Sequence, residues 1–236
     1  MSGIAIIIPV LNDTTALGSL LRGVREWATQ PAEVIVVTGA ADSRIDALCR
    51  TLSCALVRSE PCRGAQLDDG ARAASAHTLW FLHADAAPIE ASLAAIDRAR
   101  AGGAEAGYFR FKFSGPRCWQ KSLLETLVQL RTRLGGVAYG DQGLWVDRTA
   151  YRDCGGFARE PLFEEVRLFR RLKARSRIVP LSEPIGVAPR RWERDGWLTR
   201  SVTNRLLALG FALGIPAARL AASYDAETEL AEDPHP

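Results

Sequence analysis

The sequence predicts an α/β protein with a mostly parallel central sheet, helices on both faces and a mixed sheet extension in its second half. In the first half, short apolar runs alternate with helical patterns at least three times, which is typical of parallel strands joined by helices. These runs are rich in β-branched residues, as strands buried on both faces are. The second half changes character, and we expect a single domain over residues 1–224.

The first half is predicted to contain four strands and the helices between them. The first strand, residues 4–10, is followed by Asn12, Asp13 and Thr14, each of which can cap the next helix. That helix has apolar residues at helical spacing from Leu17 to Trp27. The other strands are expected at 33–38, 55–57 and 78–83, and further helices at 42–52 and 63–76.

The second half is predicted to extend the sheet. Residues 107–113 alternate aromatic with basic or small residues and indicate a half-exposed strand, with shorter strands at 143–146 and 177–181. Helices are expected at 88–101, 120–134, 147–153, 162–173, 198–214 and 216–223, so helices form the C-terminal part from about residue 195. Irregular backbone is expected at Pro184, Pro189 and 190–194. The acidic tail 225–236 is expected to be disordered.

Composition and charge narrow the class of protein. Of the 236 residues, 47% are hydrophobic and 24% charged, as in an ordinary globular protein with a sizeable core. A net charge of +3 gives no support for binding nucleic acid. The five cysteines form no CxxC pair, which favours reduced thiols in a cytoplasmic protein. No signal peptide and no membrane-spanning run is expected.

Polar side chains follow three of the predicted parallel strands at their carboxyl ends. This edge of an open α/β sheet is where ligands bind. Asp85 is a candidate anchor for a metal ion or diphosphate, and the alternative is an N-cap for the helix near Pro88. His83 can share the metal or be a hydrogen-bonded structural histidine. The residues at these strand ends are Asn12, Asp13, Thr38, Asp42, His83 and Asp85.

Two further groups in the second half are candidates for a site. Glu164 and Glu165 open a predicted helix, where glutamates are favoured by the helix dipole without any function. Because consecutive helical positions face about 100° apart, at most one of the two is expected to point at a substrate. The run 190–194 is a solvated loop or a phosphate clamp, with Arg191 as donor and Trp192 as an apolar wall.

The order of these features resembles that of family 2 glycosyltransferases, which have the GT-A fold. IPVLND after the first strand, RGAQLDDGARAA before the fourth, LHAD after it, GGF followed by EEVRL, and RRW match that family's motifs in order from about residue 4 to 220. FLHAD, GDQ and RRWERDG are similar to a bacterial subgroup known as radical-SAM/selenodomain-associated transferases. Neither common nucleotide-binding fingerprint, GxGxxG or GxxxxGK[ST], is present.

The resemblance implies transfer of a sugar from a nucleotide-diphosphate-sugar to an unknown hydroxyl acceptor, with inversion and with Mg²⁺ or Mn²⁺. It implies that Asp85, with His83, binds the metal, that Glu165 is the catalytic base, and that Glu164 orients it. The substrate-binding residues that it implies are Pro9, Asn12, Asp13, Thr38, Asp42, Arg63, Gln66, Asp69, Asp141, Gln142, Arg191 and Trp192.

Three departures from the family pattern leave alternatives open. His83 replaces a carboxylate of the metal motif, Thr38 stands where an aspartate contacts the base, and Glu165 replaces an aspartate. The alternatives are a catalytically inactive nucleotide-sugar-binding protein of the same fold and a nucleotidyltransferase. The apolar helix at 198–214 suggests contact with a membrane surface, although a core helix or one that forms a homodimer is favoured.

Overall fold

The computed structural model describes residues 2–222 and confirms the predicted α/β class. The strands are β1 (Ser2–Val10), β2 (Pro31–Thr38), β3 (Ala55–Arg58), β4 (Thr78–Phe81), β5 (Ala86–Ala87), β6 (Ala106–Phe113), β7 (Trp145–Asp147) and β8 (Ile178–Val187). They form one mixed sheet in the order β3-β2-β1-β4-β7-β6-β8-β5. The tail at 225–236 lies outside the described residues.

Helices cover both faces of this sheet. They are α1 (Thr14–Arg25), α2 (Ser43–Thr51), α3 (Arg63–Ala73), α4 (Ala91–Ala101), α5 (Trp119–Arg133), α6 (Arg148–Asp153), α7 (Glu164–Arg175), α8 (Arg190–Asp195) and α9 (Trp197–Ala212). A short 3₁₀ turn covers Gly140–Gln142, and residues 217–222 are also helical. In the described part of the chain, no helix has the length and apolar character needed to cross a membrane.

The side chains on the two faces of β1 pack in two separate hydrophobic cores. Ile6 and its neighbours at even positions pack with α1, α2 and α4, whereas Ala5 and Ile7 pack with α3, α6 and α7. A strand that is buried on both sides must be apolar at every position, because successive side chains point to opposite faces. This requirement explains the uninterrupted run at 4–10.

The first half of the sheet is parallel and the second half is mixed, as predicted. β1 pairs parallel with β2 and β4, and β2 pairs parallel with β3. β7 then runs antiparallel between β4 and β6. β6 pairs parallel with β8 and exposes Arg110 and Lys112 between buried phenylalanines, which confirms the half-exposed pattern. The parallel strands β2, β1 and β4 therefore present adjacent carboxyl ends.

Two predictions of irregular backbone were wrong, whereas Pro189 is irregular as expected. Irregular backbone was expected at Pro184, but β8 continues through it to Val187. β8 pairs on one side only with the two residues of β5, so proline's missing N–H costs little on that side. Residues 190–194 lie in α8, and Pro189 is its N-cap, whose carbonyl accepts from the N–H of Glu193 at 3.0 Å. A proline has no N–H to leave unpaired at the start of a helix, so it does not prevent this helix from forming.

The fourth strand is shorter than expected, which matters for the site. β4 ends at Phe81, and the backbone turns at Ala84 and Asp85 before β5, which the sequence did not reveal. The N–H of Ala86 donates to the carbonyl of His83 at 3.0 Å and closes this turn. The expected helix at 88–101 begins only at Ala91.

Candidate functional site

The carboxyl ends of β1, β2 and β4 bring the predicted strand-end residues to one edge of the sheet. Asp13 caps α1 by accepting from the N–H of Ala16 at 2.9 Å. Asp42 caps α2 and binds Arg44, which lowers the pKa of the Asp42 carboxyl to about 2. Thr38 is fully buried, and its hydroxyl interacts with the backbone of residue 40. Two of these acidic residues therefore also serve as helix caps.

Asp85 and His83 lie in the turn after β4 but have different environments. Asp85 is exposed, and the N-cap position of α4 is Glu90, so the alternative role of Asp85 as a helix cap is not what the structure shows. His83 is partly exposed, but its Nε2 is buried and has no hydrogen-bond partner among the described residues. A Cβ added to Gly140 would lie 2.5 Å from this Nε2, so the imidazole packs directly against that glycine.

Glu164 and Glu165 begin α7 and are both buried, with different partners. Glu164 is 1% exposed and accepts two hydrogen bonds from Arg63, 2.5 Å from Nε to Oε1 and 3.0 Å from Nη2 to Oε2. Glu165 is 4% exposed, and its Oε1 accepts from the N–H of Gly140 at 3.2 Å. Its Oε2 is buried without a partner among the described residues. The carboxylate of Glu164 is thus held in place by Arg63, whereas Glu165 keeps one oxygen that can still accept a hydrogen bond.

Burial dominates the electrostatics of this cluster. It raises the pKa of Glu165 to about 8, and the charge of Glu164 adds to the shift. Burial also raises the pKa of Asp141 to about 6, although Arg131 and Arg63 oppose the change. For His83, burial lowers the pKa to about 4, so its imidazole is neutral at pH 7. The electrostatic partners of His83 and Asp141 both include Asp85 and Arg63, which places these groups in one network.

Several predicted substrate-binding residues use their polar groups inside the protein. Gln66 is buried and donates to the carbonyl of Val10 at 3.0 Å, which ties α3 to the end of β1. Gln142 is buried between Arg131, which donates to it at 3.2 Å, and the carbonyl of Phe109 at 3.3 Å. Such residues can position the site without touching a substrate.

Asp69 lies in a further internal network. It accepts from the hydroxyl of Ser59 at 2.6 Å and from Arg159 at 3.0 Å. Among the remaining predicted residues, Asn12 is exposed, whereas Pro9 is buried within β1. Asn12 is therefore available to a ligand, and Pro9 contributes to the strand.

The basic cluster lies on α8 beside the site. Arg190 reaches Asp13 at 3.3 Å, although 177 residues separate them in the chain. Arg191 is exposed and is among the charges that act on His83. The ring of Trp192 packs edge-on against Phe113 with centroids 5.0 Å apart. The helix thus spans from the end of β1 to the end of β6.

A groove of about 390 Å³ lies between α1 and the segment that contains Asp85. It runs along one side of α1 from Thr15 to Val24 and on to Trp27 beyond the helix, and Arg190 lies on its wall. The opposite wall is the segment from Asp85 to Pro88. Asp85 therefore faces a space that can hold a small ligand.

Sequence reasoning missed two residues that shape the site. Gly140 packs against His83 and donates to Glu165, and the only signal for it was its place in the GDQ motif. Arg131 binds Gln142 and lies over the ring of Tyr139, 4.5 Å from its centroid. Nothing near Arg131 in the sequence could have revealed this, because α5 meets the 3₁₀ turn only in the folded protein.

The turn after β4, which contains His83 and Asp85, fits a divalent cation that takes most of its ligands from a bound diphosphate. No group of three or more histidine, cysteine, aspartate or glutamate residues among those described could hold a metal ion by itself. Mg²⁺ is commonly held by one or two carboxylates together with substrate phosphates. Asp85 is an exposed carboxylate of this kind, whereas the Nε2 of His83 is closed off by Gly140.

Solved glycosyltransferase structures share the fold. The mannosyltransferase PcManGT from Pyrobaculum calidifontis, in complex with GDP-Man and Mn²⁺, is 17% identical with a TM-score of 0.65, over 94% of this chain and 69% of that chain. Glucosyl-3-phosphoglycerate synthase from Mycobacterium tuberculosis, in complex with Mn²⁺, UDP and glucosyl-3-phosphoglycerate, is 17% identical with a TM-score of 0.61, over 91% and 81%.

A third structure is a 1–349 fragment of S. aureus TarS in complex with UDP-GlcNAc. It is 13% identical with a TM-score of 0.62, over 80% of this chain and 58% of that chain. This chain therefore spans less than two thirds of that structure. No protein-family model and no curated protein matches the chain. At these identities the likeness shows the fold alone, which is GT-A-like, as the sequence motifs predicted.

Proposed function

We propose that the chain is a glycosyltransferase that moves a sugar from a nucleotide-diphosphate-sugar to a hydroxyl acceptor, with inversion at the anomeric carbon. The observation that carries the proposal is the state of Glu165, a buried carboxylate with one oxygen fixed by Gly140 and the other without a partner. A base that must accept a proton needs such an open acceptor. Fold neighbours that bind nucleotide sugars and Mn²⁺ support the same conclusion.

The donor is assigned to the edge formed by the ends of β1, β2 and β4. Asp85 would hold the diphosphate through Mg²⁺ or Mn²⁺, which when bound stabilises negative charge on the departing group. Arg191 is the candidate donor to the phosphates, since guanidinium binds them through two parallel hydrogen bonds. The exposed Asn12 and the neighbouring Asp13 border the nucleoside.

The reaction we assign to this chain is an in-line displacement. The carboxylate of Glu165 takes the proton of the acceptor hydroxyl while that oxygen bonds to the anomeric carbon. The bond from this carbon to the diphosphate oxygen breaks, and its electron pair leaves with the nucleoside diphosphate. Base catalysis contributes about 10²–10⁴-fold. Arg63 fixes Glu164 and, with Gly140, keeps Glu165 in position.

The test is release of nucleoside diphosphate from a panel of uridine- and guanosine-diphosphate sugars with Mn²⁺ or Mg²⁺ and simple hydroxyl acceptors. We expect Asp85→Asn and Glu165→Gln each to lower turnover at least about 100-fold. Asp97→Asn, which changes an exposed carboxylate on α4, is the matched control and keeps full turnover. If both site variants kept full turnover, the assigned roles would be wrong.

The second candidate is a nucleotide-sugar-binding protein without catalysis. The observation that favours it is His83, a neutral side chain where the metal motif of the resembled family has a carboxylate. Calorimetry with UDP and GDP, with and without Mn²⁺, separates the two. Binding that does not depend on Mn²⁺, together with no turnover of any donor, supports the second candidate.

A further inference from the structure

Helices α5 and α9 each expose a stripe of large apolar side chains. Both stripes repeat with the same steps of four, four, three and four residues, which keeps five side chains on one face of a helix. Trp119 is 71% exposed, and Leu134 and Leu198 are each 78% exposed. The stripes consist of Trp119, Leu123, Leu127 and Leu130 from α5 with its C-cap Leu134, and of Leu198, Val202, Leu206 and Leu209 from α9 with its C-cap Leu213.

These stripes are not the faces that pack on the core. α9 packs through Leu207, Ala208 and Phe211 against the cluster around Phe163, which lies on the other side of the helix. α5 packs through Leu124 and Val128 against the phenylalanines at the end of β6. Each helix is therefore apolar on two faces, one of which the described residues leave uncovered.

The two helices pack on a common cluster of side chains. Trp197 at the start of α9 and Leu124 of α5 pack on the same cluster at Phe113. Farther along, Arg205 of α9 is among the charges that act on Arg131 of α5. We call the two exposed stripes and the charges beside them the α5–α9 surface.

The exposed charges that α5 and α9 themselves carry beside the stripes have one sign. Residues 197–222 contain no aspartate or glutamate. Glu125, the acidic residue of α5, turns inward to the N–H of Phe113 at 2.9 Å and to Arg117 at 3.0 Å. Arg133 and Arg205 are exposed next to the stripes. The α5–α9 surface therefore fits a partner that is apolar and negatively charged.

We propose that the α5–α9 surface docks on an anionic lipid bilayer, with both helices lying in the plane of the interface. Apolar side chains that enter the headgroup region, together with flanking arginines, are the features of interfacial helices. A second copy of the chain fits less well, because the described residues of α5 and α9 beside the stripes offer no carboxylate to oppose the arginines of an identical surface. The proposal is independent of the proposed function.

The experiment is flotation of the full chain with vesicles of phosphatidylcholine alone or mixed with phosphatidylglycerol. We expect co-flotation with the mixed vesicles, and weaker binding as salt rises. Leu206→Glu with Leu209→Glu should lower the bound fraction at least about tenfold, the factor expected from losing one buried leucine. Arg133→Glu with Arg205→Glu should remove the preference for phosphatidylglycerol.

The matched control is Ala47→Glu with Ala94→Glu, which adds two acidic residues at exposed positions of α2 and α4. It should float like the unchanged protein, and circular dichroism should show that every variant is folded. Absence of co-flotation with all vesicles overturns the proposal, as does equal loss in the control. So does a dimer, seen by sedimentation, that the leucine variants disrupt in a protein that does not float.

Discussion

Arg63 and Glu164 form a two-point ion pair, 2.5 Å and 3.0 Å, between helices that start 101 residues apart in the chain. The pair joins the first turn of α3 to the first turn of α7 and neutralises a carboxylate that is almost fully buried. Beside it, Glu165 accepts from the N–H of Gly140 and carries a raised pKa. The arrangement separates two consecutive glutamates into one that is bound by an arginine and one that keeps an oxygen without a partner among the described residues.

Replacing Arg63 should lower the free energy of unfolding. Arg63→Met leaves the charge of Glu164 buried without its partner, and we expect a loss of about 3 kcal/mol in the free energy of unfolding. Urea unfolding at pH 7 measures it. Arg98→Met, which breaks an ion pair whose arginine is 65% exposed, should cost less than about 1 kcal/mol. Equal losses in the two variants would contradict this account of the pair.

The rate of sugar transfer should rise with pH up to about 8. A base acts only when deprotonated, and burial holds the pKa of Glu165 at about 8 in the free protein. We expect kcat/KM to increase about tenfold for each pH unit below that value. The control Asp97→Asn should keep the same profile. A profile that is flat from pH 6 to 8 would rule out Glu165 as the base with this pKa.

The free energy of unfolding should fall as the pH rises from about 4.5 to about 8. Glu165 has a higher pKa in the folded chain, about 8, than its ordinary value of 4.5. The folded state therefore binds more protons, so its contribution is fully present below 4.5 and is lost as pH rises through 8. Glu165→Gln cannot ionise and should flatten this fall by on the order of 5 kcal/mol, since each unit of pKa difference corresponds to about 1.4 kcal/mol.

Denaturant unfolding at a series of pH values measures that difference. Asp141→Asn is a useful companion, because the pKa of Asp141 is raised only to about 6. Asp141→Asn should flatten the dependence of the free energy of unfolding on pH below pH 6. It should leave the loss of stability between pH 6 and pH 8 unchanged. If Glu165→Gln followed the curve of the unchanged protein throughout, the carboxylate would have to be ionised already at pH 5.

Gly140 is expected to be intolerant of even a methyl group. Gly140→Ala places a Cβ 2.5 Å from the Nε2 of His83 and should cost about 1–3 kcal/mol of stability while displacing the N–H that binds Glu165. A double-mutant cycle with His83→Ala measures the contact. The double variant should recover at least about 1 kcal/mol relative to additivity, and strictly additive effects would show that the clash lies elsewhere.

Two other glycines should respond in opposite directions to alanine. A Cβ at Gly64 would lie 1.9 Å from the carbonyl of Ala158, a backbone atom that cannot move aside, so Gly64→Ala should cost about 3 kcal/mol. Gly23 lies in α1 with nothing within 4 Å of an added Cβ. Gly23→Ala should stabilise the protein by about 0.5–1 kcal/mol. Thermal unfolding compares the two, and a gain at position 64 would contradict the packing of α3 on the segment at 158–160.

The sequence by itself determined the parallel half of the sheet and the position of polar groups at its edge. β-branched runs such as 4–10 and the helical spacing from Leu17 onward are local signals, and they do not depend on partners elsewhere. Parallel strands also share a direction, so Asn12, Thr38 and Asp85 had to reach the same edge. The motif order added the expectation of a GT-A-like fold, which the solved structures confirm.

Only the tertiary structure decided how the site is assembled. The pairing of Arg63 with Glu164 and the packing of His83 on Gly140 join segments that are distant in sequence. The continuation of β8 through Pro184 depends on its place near the edge of the sheet. Burial, which raises the pKa of Glu165, is a property of the packed molecule. The local sequence shows which residues are polar. The free energy of burying each polar side chain depends on hydrogen-bond and charge partners that only the fold supplies.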